Sequence, residues 1–153
     1  MKMGEAPPNL QTLGGYVGSF MFTTILPAVD SELLSTFGTH LQTVSLNLSN
    51  TGYNQKPYTY VNTSVQSYLF TEYEVLGNNV YDDEEYTAYP QYAALKLKNS
   101  LLDGVAYWTR SMCGANGFCY IDTDHTSHPT VYKRGVPPEP HGVRPAFLLG
   151  NNV

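Results

Sequence analysis

Met21, Ile25, Val29, Leu33 and Phe37 stand four residues apart, and this spacing constrains the fold more than any other feature of the chain. A four-residue recurrence describes one face of a helix. Pro27 lies inside the run and carries no backbone N–H. The run is therefore predicted as two helical pieces, with Ser19 as a cap for the first. The second begins at Pro27 or is capped by Asp30. Gly38 stands where a C′ glycine would end the helix.

After Gly38 the patterns are mainly those of strands. Residues 41–48 alternate through Thr43-Val44-Ser45-Leu46 and predict a strand with one apolar face. A turn cluster follows at Ser49-Asn50-Thr51-Gly52-Tyr53-Asn54. Residues 58–61 and 65–75 carry the β-branched and aromatic bias of strands or short helical pieces. Asp82-Asp83-Glu84-Glu85 is expected to be a solvated acidic loop, and residues 91–102 a short helix or a loop. Residues 107–111 and 118–122 alternate as strands, and 143–149 form an apolar closing strand. Between them, residues 124–141 are rich in Pro, Gly and His and are expected to form a long surface excursion. One helical run followed by strands gives an α+β class. No internal repeat or linker divides the chain, so residues 14–153 are expected to form a single domain behind an N-terminal arm, residues 1–13.

Composition excludes several functions. Only 14% of residues are charged and the net charge is −5 without a basic run, so nucleic acid is not an expected partner. No apolar stretch approaches the roughly 18 residues needed to span a bilayer, so membrane insertion is not expected. The start, Met1-Lys2-Met3-Gly4-Glu5, has no apolar signal core, and a soluble chain without a signal peptide is expected. Tyrosine is abundant, 13 residues against 6 Phe and 1 Trp, which suits wet interfaces and half-buried strands alike. Asn47-Leu48-Ser49 and Asn62-Thr63-Ser64 match the glycosylation triplet but are taken as chance.

Residues with catalytic chemistry are present without a catalytic arrangement. There is no Gly-x-Ser-x-Gly, and Ser111 and Cys113 have no assigned base, although His125, His128 and His141 lie downstream. No glycine-rich loop suits a phosphate, and no cofactor is expected. No metal is expected either. Asp122, Asp124, His125 and His128 form the one local grouping with ligand chemistry, and solvated loop side chains are the simpler reading. Cys113 and Cys119 leave two alternatives. A two-residue turn at Asn116-Gly117 would point the thiols to opposite faces, whereas a longer loop placing them opposite each other would let them bond. Arg110 and Arg144 lie on apolar strands and are expected to be structural anchors. Asp103, Glu72 and Glu74 are candidate partners for Arg144, and Arg110 is expected to stack on an aromatic ring or to pair similarly.

The segments Tyr107-Trp108-Thr109-Arg110-Ser111, Phe118-Cys119-Tyr120-Ile121-Asp122 and Gly142-Val143-Arg144-Pro145-Ala146-Phe147-Leu148-Leu149 together resemble an uncharacterised domain family. It occurs in bacterial and prophage proteins that end in a Trp-Leu-Arg-Ser … Gly-Val-Arg-Pro-Ala pattern. The likeness extends to Gly14-Gly15-Tyr16-Val17-Gly18-Ser19, Thr23-Thr24-Ile25-Leu26-Pro27, Phe37-Gly38-Thr39-His40-Leu41 and Thr71-Glu72-Tyr73-Glu74-Val75-Leu76-Gly77. Two departures are visible. Thr109 stands where an apolar residue is usual, and residues 133–140 look longer and richer in proline than the usual return to the last strand.

That family is similar in turn to the C-type-lectin-like fold of the formylglycine-generating-enzyme branch. The branch includes phage tropism determinants and the variable proteins of diversity-generating retroelements. The resemblance implies a C-type-lectin-like fold, with a twisted, mostly antiparallel sheet, one or two helices and long loops. Trp108, Arg110, Gly142 and Arg144 would be its framework. Asn116, Phe118, Tyr120, Asp122, Asp124, His125, His128 and Tyr132 would be displayed for ligand binding. The implied function is non-catalytic receptor recognition, by a phage or prophage virion or tail-fibre protein or one of a related element. Its partner would be a cell-surface protein or glycan. The alternative is a virion structural or decoration module using the same surface for subunit contacts, with a homo-oligomer as one outcome. The expected location is the virion, or the bacterial cytoplasm before assembly.

Overall fold

The structure is a computed structural model that describes residues 12–76, 106–114, 117–122, 130–135 and 142–151. It combines helix with small antiparallel sheets, as the α+β expectation requires. Most of the N-terminal arm, the acidic loop at 82–85 and residues 91–102 lie outside the described residues. Thr12 is buried, and its hydroxyl accepts the Tyr53 N–H at 3.3 Å.

The helical run starts as Ser19 predicts, with its Oγ accepting the Phe22 N–H at 3.2 Å. A π-helical turn, Met21–Ile25, continues without a break into α1, Leu26–Phe37, which carries Pro27 in its first turn. The wider turn carries the chain past a proline ring that would clash with the carbonyl four residues back in a regular helix. Met21 and Leu26 are buried, whereas Ile25, Val29, Leu33 and Phe37 are only half-buried. The four-residue stripe is thus not one core face. At 3.6 residues per turn it rotates by about 40° at each step, so it winds out of the core toward the rim. Gly38 ends α1 with φ +56° and donates its N–H to Leu34.

The expected strand over 41–48 is two strands that change partner at Thr43. β1, Leu41–Gln42, pairs with β7, Leu148–Leu149, and β2, Val44–Ser49, pairs with β3, Tyr60–Val65. Register in β2–β3 is unbroken from Val44 opposite Val65 to Ser49 opposite Tyr60. Leu46, Leu48 and Val65 face the core, and Ser45, Asn47 and Asn62 face out. The exposed residues bond across the strands, Ser45 Oγ to Asn62 Oδ1 at 2.6 Å and Asn62 Nδ2 to Asn47 Oδ1 at 3.1 Å.

α2, Glu72–Leu76, precedes a three-stranded antiparallel sheet of β4, Tyr107–Gly114, β5, Gly117–Asp122, and β6, Thr130–Gly135. The first two of these strands fall where alternation puts them. β6 lies inside the expected surface excursion and corrects it: Thr130-Val131-Tyr132 has strand propensity that the surrounding Pro and Gly conceal. The closing run also differs from the single strand expected. Gly142 bridges Tyr107, Ala146 bridges Tyr68, and only Leu148–Leu149 pairs with β1. Pro145 has no N–H for a continuous ladder, so the run passes from one partner to the next.

The main core joins Tyr16, Met21, Leu26, Leu46, Leu48, Tyr68, Leu69, Trp108, Met112 and Phe118. Tyr16 is fully buried, its Oη accepts the Leu69 N–H at 3.2 Å, and burial keeps its phenol protonated well beyond the ordinary tyrosine range. Gly15 lets the chain approach this closely, because it sits at φ +63° and a Cβ there would lie 2.5 Å from the Ser49 carbonyl oxygen. Val75, Tyr107, Cys119 and Ile121 form a second, smaller cluster. Adjacent residues of β4 and β5 therefore point into two different clusters, and both faces of that hairpin are covered. Among the described residues, no helix is long and apolar enough to cross a membrane.

Candidate functional site

The framework residues meet around the start of β4. Trp108 is buried, with 1% of its surface exposed, and donates its N–H to the Gly142 carbonyl at 3.1 Å. Gly142 in turn donates to Ala106 at 2.7 Å. This parallel bridge holds together the two ends of a stretch more than thirty residues long.

Arg110 is the charged anchor of the site. Its guanidinium donates to both carboxylate oxygens of Glu74, at 2.9 Å and 3.1 Å, and to the Leu69 carbonyl, and it lies 5.6 Å from the Tyr68 ring centre. The ion pair is buried, with side-chain exposures of 8% for Arg110 and 1% for Glu74. Glu74 also accepts the Thr71 N–H at 2.8 Å, while Thr71 Oγ1 accepts the Glu74 N–H at 3.0 Å. Thr71-Glu72-Tyr73-Glu74 is thus a capping box, a Thr followed three residues later by a Glu, each satisfying the other's backbone donor. That sequence signal would have identified α2 and marked Glu74 as fixed in place. Glu74, a candidate partner for Arg144, is the partner of Arg110. Arg144 lies over the Tyr107 ring, 4.8 Å from its centre, and Asp103 is outside the described residues.

Thr109 has a structural role of its own. It is fully buried and donates from Oγ1 to the Cys119 carbonyl at 2.8 Å, and it accepts the Ser111 N–H at 3.3 Å. These bonds satisfy backbone groups where the β4–β5 ladder shifts register between Trp108 and Met112. A second shift follows between Met112 and Gly114, and it settles the cysteine question. Gly114 pairs with Gly117, so Gly117 belongs to β5 and not to a turn at Asn116-Gly117. A regular ladder from there would put Cys113 opposite Phe118 and send Cys119 to the other face. Instead Met112 stands opposite Phe118 and Cys113 is the extra residue of a bulge. Cys113 and Cys119 are bonded, with their Cα atoms 5.2 Å apart.

The residues expected to be displayed separate into groups. Phe118 is a correction: it is 0% exposed in the main core beside Trp108, and cannot be displayed. Tyr120 is half-buried and meets Trp108 edge-on, with ring centres 6.0 Å apart. Asp122 and Tyr132 are placed by strand register, Asp122 opposite Thr130 and Tyr132 opposite Tyr120. Positions 108, 120 and 132 therefore form one row across β4, β5 and β6. Asn116, Asp124, His125 and His128 lie outside the described residues. Among the described residues no cluster of three or more metal-ligating side chains occurs. Both candidate nucleophiles have other roles: Ser111 Oγ is buried and accepts the Glu72 N–H at 3.0 Å, and Cys113 is in the disulfide.

Comparisons of the chain with family models, curated proteins and solved structures find no match.

Proposed function

We propose that this chain is a non-catalytic ligand-binding domain whose binding surface is built from the stretch between residues 111 and 142. The observation that supports this reading is the closure of that stretch. Trp108 and Ala106 bond to Gly142, so the two ends of the segment are held at one place. A rigid base is the usual way to position recognition loops. The Arg110–Glu74 pair and the capping box stiffen the base beneath the segment.

Side-chain chemistry favours recognition of a protein or glycan surface. Asp124, His125, His128 and Tyr132 combine aromatic area with adaptable hydrogen bonding. Phe118 is removed from the surface and Tyr120 contributes at most one edge, so the proposed contacts move outward to β6 and the residues before it. In this proposal the domain has the C-type-lectin-like fold and serves a phage, prophage or related element, on the sequence resemblance described above.

The test is binding of the purified chain to cells of candidate bacterial hosts. Asp124→Ala, His125→Ala and His128→Ala together should abolish binding while leaving the melting temperature unchanged. Unaltered binding would remove this stretch from the interface. Binding only to copies of itself or to virion subunits would assign the chain to a structural or decoration role.

A further inference from the structure

A half-open cleft of about 360 Å³ lies between the helical run and the β2–β3 hairpin, lined entirely by described residues. None of its lining belongs to the 111–142 stretch. Its volume falls within the roughly 300–1,000 Å³ range of small-ligand sites. Phe22, Leu26 and Val65 supply apolar walls, and Leu26 and Val65 are themselves buried. Asp30 is the one charged side chain in the lining.

Ser67 is 1% exposed and donates its hydroxyl to Asp30 Oδ1. The bond holds one carboxylate oxygen and leaves the second available to accept. Among the described residues no Lys, Arg or His forms an ion pair with Asp30. Asp30 is half-buried, and a carboxylate placed beside apolar walls suits an opposite charge carried on an apolar stem. Gln66 also lines the cleft. A neutral polyol would match the amide and hydroxyls but leave the charge uncompensated.

We propose that this cleft binds a primary ammonium group on a short aliphatic stem. Asp30 takes the ammonium, and Phe22, Leu26 and Val65 pack on the stem. The same chemistry is presented by a free alkylamine and by a lysine side chain of a protein partner.

The test is an NMR titration of the full chain, labelled with nitrogen-15, using butylammonium, 1-butanol and Nα-acetyl-lysine methylamide as probes. Butylammonium should shift the amides of residues 64–67 saturably. Loss of the charge-assisted bond in Asp30→Asn should weaken it by about tenfold or more. 1-Butanol should bind weaker by a similar factor in the unaltered protein, a comparison that decides the matter even if Asp30→Asn does not fold. Tighter binding of the lysine derivative than of butylammonium would assign a protein partner, and the reverse a free amine. Equal binding of 1-butanol, an unaffected folded Asp30→Asn, or no shift at residues 64–67 with either amine would overturn the proposal.

Discussion

The β2–β3 and β4–β5 hairpins are the same supersecondary unit built to opposite specifications. β2–β3 keeps one register from end to end, buries one face and exposes a ladder of Ser and Asn side chains. β4–β5 shifts register twice, has both faces covered and carries a disulfide. The polar residues of the first are compensated by water and by each other. Those of the second, Thr109, Arg110 and Ser111, are buried and each has a specific protein partner. A hairpin with a wet face tolerates substitution there, whereas one covered on both sides leaves no position where a polar group can lose its partner cheaply.

The comparison can be broken by mutation. Arg110→Ala should have the largest effect, because it leaves Glu74 buried without its cation, and breaking a buried pair costs about 3–5 kcal/mol. Urea unfolding measures it, and a loss under about 1 kcal/mol, the range of an exposed ion pair, would place β4 with the tolerant hairpin. Replacing Cys113 and Cys119 together by Ser should cost an intermediate amount, about 2–3 kcal/mol for a cross-link closing so short a loop. Reduction of the unaltered protein should reproduce it, and an equal melting temperature in both states would leave the bulge to hold itself. Asn62→Ala should have the smallest effect, within about 0.5 kcal/mol, since its bonds to Ser45 and Asn47 are exchanged for water. A loss above about 1 kcal/mol would mean that the Ser/Asn ladder holds register as firmly as the buried bonds of β4.

Local signals were legible in the sequence wherever the cause was local. Ser19 capping the helix, Gly38 ending it, and the alternation of residues 107–111 and 118–122 all appear as read. Thr71-x-x-Glu74 was equally legible as a capping box, and would have placed α2. Signals failed where a partner distant in sequence intervenes. β1 and β2 separate at Thr43 because the C-terminal run takes one and β3 the other, and nothing within residues 41–48 records that exchange. Phe118 is displayed only by what the resemblance implies, and strand alternation does not correct it because it does not say which face is covered. In β5 both are, Phe118 facing the main core and Cys119 the smaller cluster.

The sequence by itself determined the class of the elements: a helical run with a proline inside it, then strands, then an apolar closing run. Backbone rules acting over a few residues suffice for that. Only the tertiary structure decided the pairing of Arg110 with Glu74, the stacking of Arg144 on Tyr107, and the bond between Cys113 and Cys119. The first two depend on segments dozens of residues apart being brought together. The third depends on a bulge, one extra residue that reverses the facing of every side chain beyond it. Period and propensity carry no record of such a shift, because it is set by what the hairpin packs against on both sides.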